Sequence, residues 1–182
     1  MNKLIESDLY RYSGHTGLKT FVVGLTIPGF RYMFFLRKSS LSKKYSVSGI
    51  FYRLFLRRYM FKYGFQIPAS TQIGKGFYIG HFGTIVINEK TKIGDNCNIA
   101  HGVTIGQANR GKAGGCPVIG DMVWIGTGAV IVGKVKIGSN VLIAPNSFVN
   151  FDVPDNSVVV GNPGKIVPKA DATKGYINSV MK

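Results

Sequence analysis

Aliphatic side chains recur every six positions over the C-terminal two-thirds of the chain. Ile67, Ile73 and Ile79 form one series. After a slip of two residues, Ile87, Ile93, Ile99 and Ile105 form a second. After a longer interruption, Ile119, Ile125, Ile131, Ile137, Ile143 and Val149 form a third. A small residue comes after most of them, among them Gly74, Gly80, Gly94, Ala100, Gly106, Gly120, Gly126, Gly138 and Ala144. An amphipathic helix repeats its apolar positions about every 3.6 residues and does not produce this pattern. A six-residue unit has room for one short strand and one turn, and three units close a triangular coil of roughly 18 residues. The aliphatic side chain of each unit points inward and stacks on its equivalents in neighbouring coils. The small residue beside it lets the chain turn a corner without a Cβ clash, and backbone groups pair between coils as in a parallel sheet. The pattern therefore predicts a mainly β fold, a parallel β-helix. Its open ends need caps: the region before Ile67 at one end, and Val153-Pro154-Asp155-Asn156 with the residues C-terminal to it at the other.

The interruptions are the places to look for chemistry. Ile105 and Ile119 are 14 apart, so eight residues are extra, and they fall within Gln107 to Pro117, a Gly-rich, basic stretch without apolar pattern. Long excursions from a rigid scaffold are often functional, although a tolerated surface insertion has the same signature. Residues 1–63 lack the repeat and read as a helical N-terminal extension; 64–168 form the β-helix and 169–182 a tail. Phe21 to Leu36 is apolar but contains Pro28-Gly29 and Arg31. It falls short of the roughly 20 clean apolar residues of a membrane span, and reads as a buried or membrane-surface helical segment. Arg37 to Lys44 reads as an exposed loop. Ile50 to Lys62 mixes aromatics with Arg53, Arg57 and Arg58, which helical spacing brings near one another. That stretch fits first a helix packing its apolar side on the solenoid, and second a basic amphipathic surface visiting an anionic bilayer.

Composition narrows the partners. The 182 residues are 45% hydrophobic with 24 Gly, and 23 Lys+Arg against 8 Asp+Glu give a formal net charge of +15. Such an imbalance predicts attraction to something anionic: nucleic acid, an acidic membrane or glycan, or the phosphates of a cofactor. No groove-reading or stacking motif accompanies the charge, so nucleic acid is the poorest of these. Cys97 and Cys116 have no metal-like spacing and are too sparse for a disulfide scaffold, and the first residues carry no secretory pattern. Together these features predict reduced thiols, no metal site and a cytoplasmic protein.

Two stretches carry a family resemblance: Ile79-Gly80-His81-Phe82-Gly83-Thr84-Ile85-Val86-Ile87-Asn88-Glu89, and Ile93 to Gly106 with its His101-Gly102-Val103-Thr104-Ile105-Gly106. With the Gly-rich loop and the ending Val160-Gly161-Asn162-Pro163-Gly164-Lys165-Ile166-Val167, they resemble the serine acetyltransferase branch of the hexapeptide acyltransferases over roughly residues 64–168. The resemblance implies a left-handed parallel β-helix of hexapeptide repeats; the period alone does not give a hand, and ordinary parallel crossovers are right-handed. It implies acetyl-CoA as cosubstrate, a homotrimer with active sites between subunits, and His81 at the catalytic position. Gly126, Thr127 and Ala144 match positions where the family's backbone meets the pantetheine arm, and Lys165 matches a basic residue near the nucleotide phosphates.

Serine-specific positions depart from that branch. Gly80 stands where an Asp precedes the catalytic His, Gln66 where a second Asp lies fifteen residues before it, and Gly115-Cys116 where Arg-His precedes Pro117. Loss of groups that pair with a charged acceptor predicts loss of discrimination for it. The lead-in Gly64-Phe65-Gln66-Ile67, the run His101 to Gly106 and Cys116-Pro117 resemble instead the polysaccharide O-acetyltransferases of the same branch. The expectation is an acetyl-CoA-dependent O-acetyltransferase acting on a sugar hydroxyl of a capsular or exopolysaccharide. Its glycan acceptor would be acidic or lipid-linked, consistent with peripheral contact with an anionic membrane. A serine O-acetyltransferase and a non-catalytic β-helix scaffold are the alternatives. A hydroxyl needs a general base within hydrogen-bond reach, and histidine suits the task at neutral pH. His81 is the expected base, and His101 positions the acceptor or shares the role. Glu89 or a backbone carbonyl is expected to orient His81.

Overall fold

The structure is a computed structural model and describes residues 2–110 and 114–181. Among these, four helices precede a parallel β-solenoid of five coils with three faces. The first face stacks β1 (Phe65–Gln66), β4 (Ile85–Ile87), β7 (Thr104–Gly106), β10 (Val130–Val132) and β13 (Phe148–Val149). The second stacks β2 (Gln72–Ile73), β5 (Lys92–Ile93), β8 (Val118–Ile119) and β11 (Lys136–Ile137). The third stacks β3 (Tyr78–Ile79), β6 (Asn98–Ile99), β9 (Trp124–Ile125), β12 (Val141–Ile143) and β14 (Ser157–Val160), closed by the antiparallel β15 (Lys165–Pro168). The sixth-position aliphatics fill the interior: Ile79, Ile99, Ile125 and Ile143 beneath the third face, Ile87, Ile105, Ile131 and Val149 beneath the first, all buried. Phe65 pairs with Ile85, Val86 with Thr104, Thr104 with Val130 and Val130 with Phe148, so successive coils take 20, 18, 26 and 18 residues. The two long coils hold the two interruptions of the period.

The edge between the second and third faces is regular. Gly76, Asn96, Met122, Asn140 and Asn156 stack there in the left-handed conformation (φ between 52° and 67°), which glycine and asparagine adopt most readily. A side-chain ladder runs beside them. Asp95 accepts from the Lys75 N–H, Asp121 from the Asp95 N–H, Ser139 from the Asp121 N–H and Asp155 from the Ser139 N–H, at 2.7–3.1 Å.

The helices cap the N-terminal end. α1 (Lys3–Ser13) starts on the Asn2 side chain, which accepts from the Leu4 N–H, and ends at left-handed Gly14. α2 (Leu18–Gly24) is followed by α3 (Pro28–Leu41), with proline in its first turn, where the missing N–H costs nothing. α4 (Val47–Tyr63) is capped by Ser46 and ends at left-handed Gly64. α3 lies on the solenoid, burying Tyr32, Met33 and Leu36 in one cluster with Phe65, Ile67, Phe77 and Ile79. The Tyr32 hydroxyl meets the carbonyls of Phe65 and Ile67 at 3.0 and 2.8 Å. α4 packs chiefly on α3.

Two expectations for this region are corrected. Of Arg37 to Lys44, only the stretch from Ser42 is loop, with Lys43 and Lys44 exposed. α3 runs through Leu41, and Arg37 is buried against Asp8, with Nε–Oδ2 2.8 Å and Nη2–Oδ1 3.1 Å, while also donating to the carbonyls of Ile73 and Gly74. A bidentate pair between residues 29 apart leaves no mark on the local polar pattern around Arg37. Arg53 does not share a basic surface with Arg57 and Arg58. Its guanidinium turns inward to the carbonyls of Ser39 (2.9 Å) and Ser42 (3.2 Å), satisfying the C-terminal end of α3. No described helix is long and apolar enough to cross a membrane.

The tail runs back along the third face. Asn140 donates to the Ala170 carbonyl and accepts from Thr173, Tyr176 packs on Trp124 with ring centroids 4.9 Å apart, and Asn98 donates to the Tyr176 carbonyl at 3.0 Å.

Candidate active site

The edge between the third and first faces breaks the pattern. From Ile99 to Val103 the chain turns through three residues, 100–102; from Ile79 to Ile85 it needs five, 80–84. The two extra residues bulge outward and expose His81 and Phe82. Gly83, at φ 138°, lies directly against the next coil: a Cβ there would sit 3.0 Å from that of His101. The result is two exposed imidazoles from successive coils, ring centroids 5.9 Å apart and mutually perpendicular. Among the described residues neither imidazole has a hydrogen-bond partner. Glu89 does not orient His81, because it lies past the opposite end of β4.

The same edge continues through the other expected site residues. His101 and Thr127 occupy equivalent rungs, as the Gly128 N–H meets the His101 carbonyl (3.1 Å) and the Asn146 N–H the Thr127 carbonyl (2.8 Å). Gly126 is buried, and a Cβ on it would lie 2.7 Å from the Pro145 nitrogen and 2.8 Å from the Trp124 ring. Close rung packing therefore requires glycine there whatever lies outside. Thr127 and Ala144 are half-buried beside it. The turn joining β14 to β15 closes the edge: the Gly161 N–H meets Ser147 Oγ at 3.1 Å and the Gly164 N–H meets the Phe148 carbonyl at 2.9 Å, which leaves Lys165 exposed at the end of the column.

The first face lies between this edge and the Gly-rich loop. The loop leaves from β7 as a small hairpin in which Ala108 and Gly115 exchange both backbone hydrogen bonds (3.0 and 2.9 Å). The Cys116 thiol reaches Asn88 Oδ1 at 3.3 Å. Gly111, Lys112 and Ala113 of this stretch lie outside the described residues. A cleft of about 730 Å³ opens on the outer side of the first face, walled by Met60 and Phe61 of α4 and by Gln66, Val86, Asn88 and Glu89. Neither His81 nor His101 lines this cleft, and nothing in the six-residue period says which helix ends beside β1.

The bacterial transferase hexapeptide (six repeats) family model matches residues 116–150. The structure of the Neisseria gonorrhoeae serine acetyltransferase in complex with serine is similar to this one with a TM-score of 0.72 and 32% identity, covering 91% of this chain and 68% of that one. The chain belongs to the hexapeptide-repeat transferases. The Brucella abortus serine acetyltransferase in complex with coenzyme A aligns with a TM-score of 0.75 and 26% identity, covering 91% of this chain and 67% of that one. The serine acetyltransferase of Staphylococcus aureus is 45% identical over 104 residues, 57% of this chain and 49% of that protein, so this hexapeptide-repeat transferase spans about half the length of that curated relative.

These relatives overturn the polysaccharide O-acetyltransferase expectation. The structure shows why the motifs behind it misled. Phe65, Ile67, Val103 and Ile105 are buried in the solenoid interior, and Gly102 turns a corner at φ 75°. Phe65 and Ile67 of the lead-in and most of the run His101 to Gly106 build coils and carry no information about an acceptor.

Proposed function

We propose that this hexapeptide-repeat transferase transfers an acetyl group from acetyl-CoA to the hydroxyl of L-serine. The observation that carries the reading is the His81 bulge. It is a two-residue break in an otherwise regular coil that exposes an imidazole 5.9 Å from that of His101, in a chain whose relatives are serine acetyltransferases. His81 takes the proton from the acceptor hydroxyl as its oxygen attacks the thioester carbonyl. The tetrahedral intermediate collapses, the C–S bond breaks, and the proton passes to the departing CoA sulfur. A positioned base of this kind contributes about 10²–10⁴-fold. His101 contacts the acceptor from the next coil. The half-buried backbone at Thr127 and Ala144 flanks the pantetheine arm, and Lys165 meets phosphate. A trimer places this edge against a neighbouring copy. Gly80, Gln66, Gly115 and Cys116 carry no charge, so the ammonium and carboxylate of serine are met by other groups.

The test is CoA-thiol release by the purified chain with L-serine, with O-acetylserine identified by mass spectrometry. Serine-dependent turnover that falls about 10³-fold in His81→Ala, with an unchanged circular dichroism spectrum, is the expected result. Thiol release that serine does not accelerate sinks the reading.

A further inference from the structure

The outer side of the helical layer is unpartnered. α4 buries only Gly49, Leu56 and Tyr63. Its Val47, Ile50, Phe51, Leu54 and Phe61 stand exposed, Val47 and Phe61 at 88% and 71%, at helical spacings that put them on one stripe. Leu18, Val22 and Val23 of α2 are exposed as well. The two helices rim a common cleft of about 540 Å³ whose walls include Phe21, Phe34, Lys38 and Tyr52.

The charge around this apolar surface is predominantly positive, although Glu6 lies on the cleft wall and Glu89 near Phe61. From residue 9 to residue 88 the sequence holds no Asp or Glu and twelve Lys or Arg. Lys43, Lys44, Arg57 and Lys62 are exposed beside the stripe, and Arg58 is exposed on it between Leu54 and Phe61. Asp8, one of two acids earlier in the chain, is consumed by Arg37 in the interior.

We propose that this face of α2 and α4 docks on the surface of an anionic lipid bilayer. An apolar stripe flanked by cations is the pattern that lies in a membrane interface, and the helices are too short and too polar to cross it. The competing occupants fit less well. A second copy would set Arg57 and Arg58 against the same cationic face. A nucleic acid would neutralise the charge and leave Val47, Phe51, Leu54 and Phe61 in water. Each basic side chain close to an anionic leaflet multiplies partitioning roughly fivefold.

The experiment is flotation of the full chain with vesicles of phosphatidylcholine alone or mixed with phosphatidylglycerol, at about 0.1 M salt and at about 0.5 M. The protein is expected to float with the mixed vesicles at low salt, and poorly with neutral vesicles or at high salt. Phe51→Ser/Leu54→Ser and Arg57→Glu/Arg58→Glu are each expected to reduce partitioning at least tenfold, with the far-ultraviolet spectrum unchanged. Two results overturn the proposal: no flotation of the parent chain, or flotation that both variants retain. A Phe51→Ser/Leu54→Ser variant that shrinks in light scattering, with no vesicle binding by the parent, assigns the face to a second copy instead. Saturable oligonucleotide binding without vesicle binding overturns it likewise.

Discussion

Two edges of the solenoid share one left-handed turn and differ in how regularly they repeat it. The edge through Asn96, Asn140 and Asn156 repeats one left-handed turn and one side-chain ladder in every coil. The edge through His81 and His101 makes the same turn at Gly102, Gly128 and Asn146 but gives the His81 coil two residues too many. The regular edge holds neighbouring coils in register. That register lets the irregular edge extrude an imidazole locally without disturbing β3 or β4, which still pair with β6 and β7. Changes on the first edge should therefore appear in stability, and changes on the second in turnover.

The largest expected effect tests the base of the regular edge. Its open end is closed by α1 and α3. Ser7 Oγ accepts from the Gly76 N–H, Asp8 Oδ1 from the Phe77 N–H, and Arg37 reaches the carbonyls of Ile73 and Gly74. Burial pushes the Asp8 carboxyl above its ordinary value of 3.8, and Arg37 opposes that rise. Arg37→Leu leaves the carboxyl buried without a cation, which should cost about 3–5 kcal/mol. Because the variant raises the folded-state value further, the deficit is greatest at neutral pH. It narrows as pH falls through the folded-state values of variant and parent, both above 3.8, where the carboxyl takes up its proton in each fold; the unfolded chain titrates alike in both. Urea denaturation at two pH values measures both. Turnover per folded molecule should be unchanged, and a selective loss of kcat would break the division between the edges.

That cap also marks the limit of what the sequence discloses. The solenoid was legible because each coil repeats a local rule, an aliphatic residue every sixth position with a small residue after it, and the long loop because it interrupts the rule. His81 was legible only through its resemblance to known transferases; the bulge that exposes it is the two-residue slip between Ile79 and Ile87. Asp8 and Arg37 are 29 residues apart, and Arg53 closes the end of a different helix. Both pairings are decided by how helices pack, and no period records that. Gln66, Gly80 and Cys116 illustrate a further limit. A missing charge shows how an acceptor is not held and leaves open which acceptor it is.

An intermediate effect separates the two imidazoles. His101→Ala removes the second ring of the pair and leaves His81 in place. Under the proposed roles kcat for serine acetylation should fall about 10–100-fold, the KM for serine should rise, and His81→Ala should be the more severe by at least tenfold. The thermal midpoint should hardly move, since both rings are exposed. Equal losses in the two variants would mean that the rings share the proton, and the difference between a base and a positioning contact would disappear.

The smallest effect is a gain, and it falls on the regular edge. Met122 holds φ 54° in a column whose other members are Gly76, Asn96, Asn140 and Asn156. Its N–H meets the Asp95 carbonyl at 2.8 Å like those of its neighbours, so the turn is imposed by the coils on either side. A methionine gains nothing from the left-handed region and is strained there, whereas asparagine tolerates it and can pair along the stack, as Asn140 does with Asn156 at 2.7 Å. Met122→Asn should therefore stabilise the protein by about 0.5–1 kcal/mol and raise the thermal midpoint by about 2 °C, with turnover unchanged. A loss of stability would show that the half-buried methionine side chain contributes more by packing than its backbone costs, and that the left-handed turn is not what selects the residues of this edge.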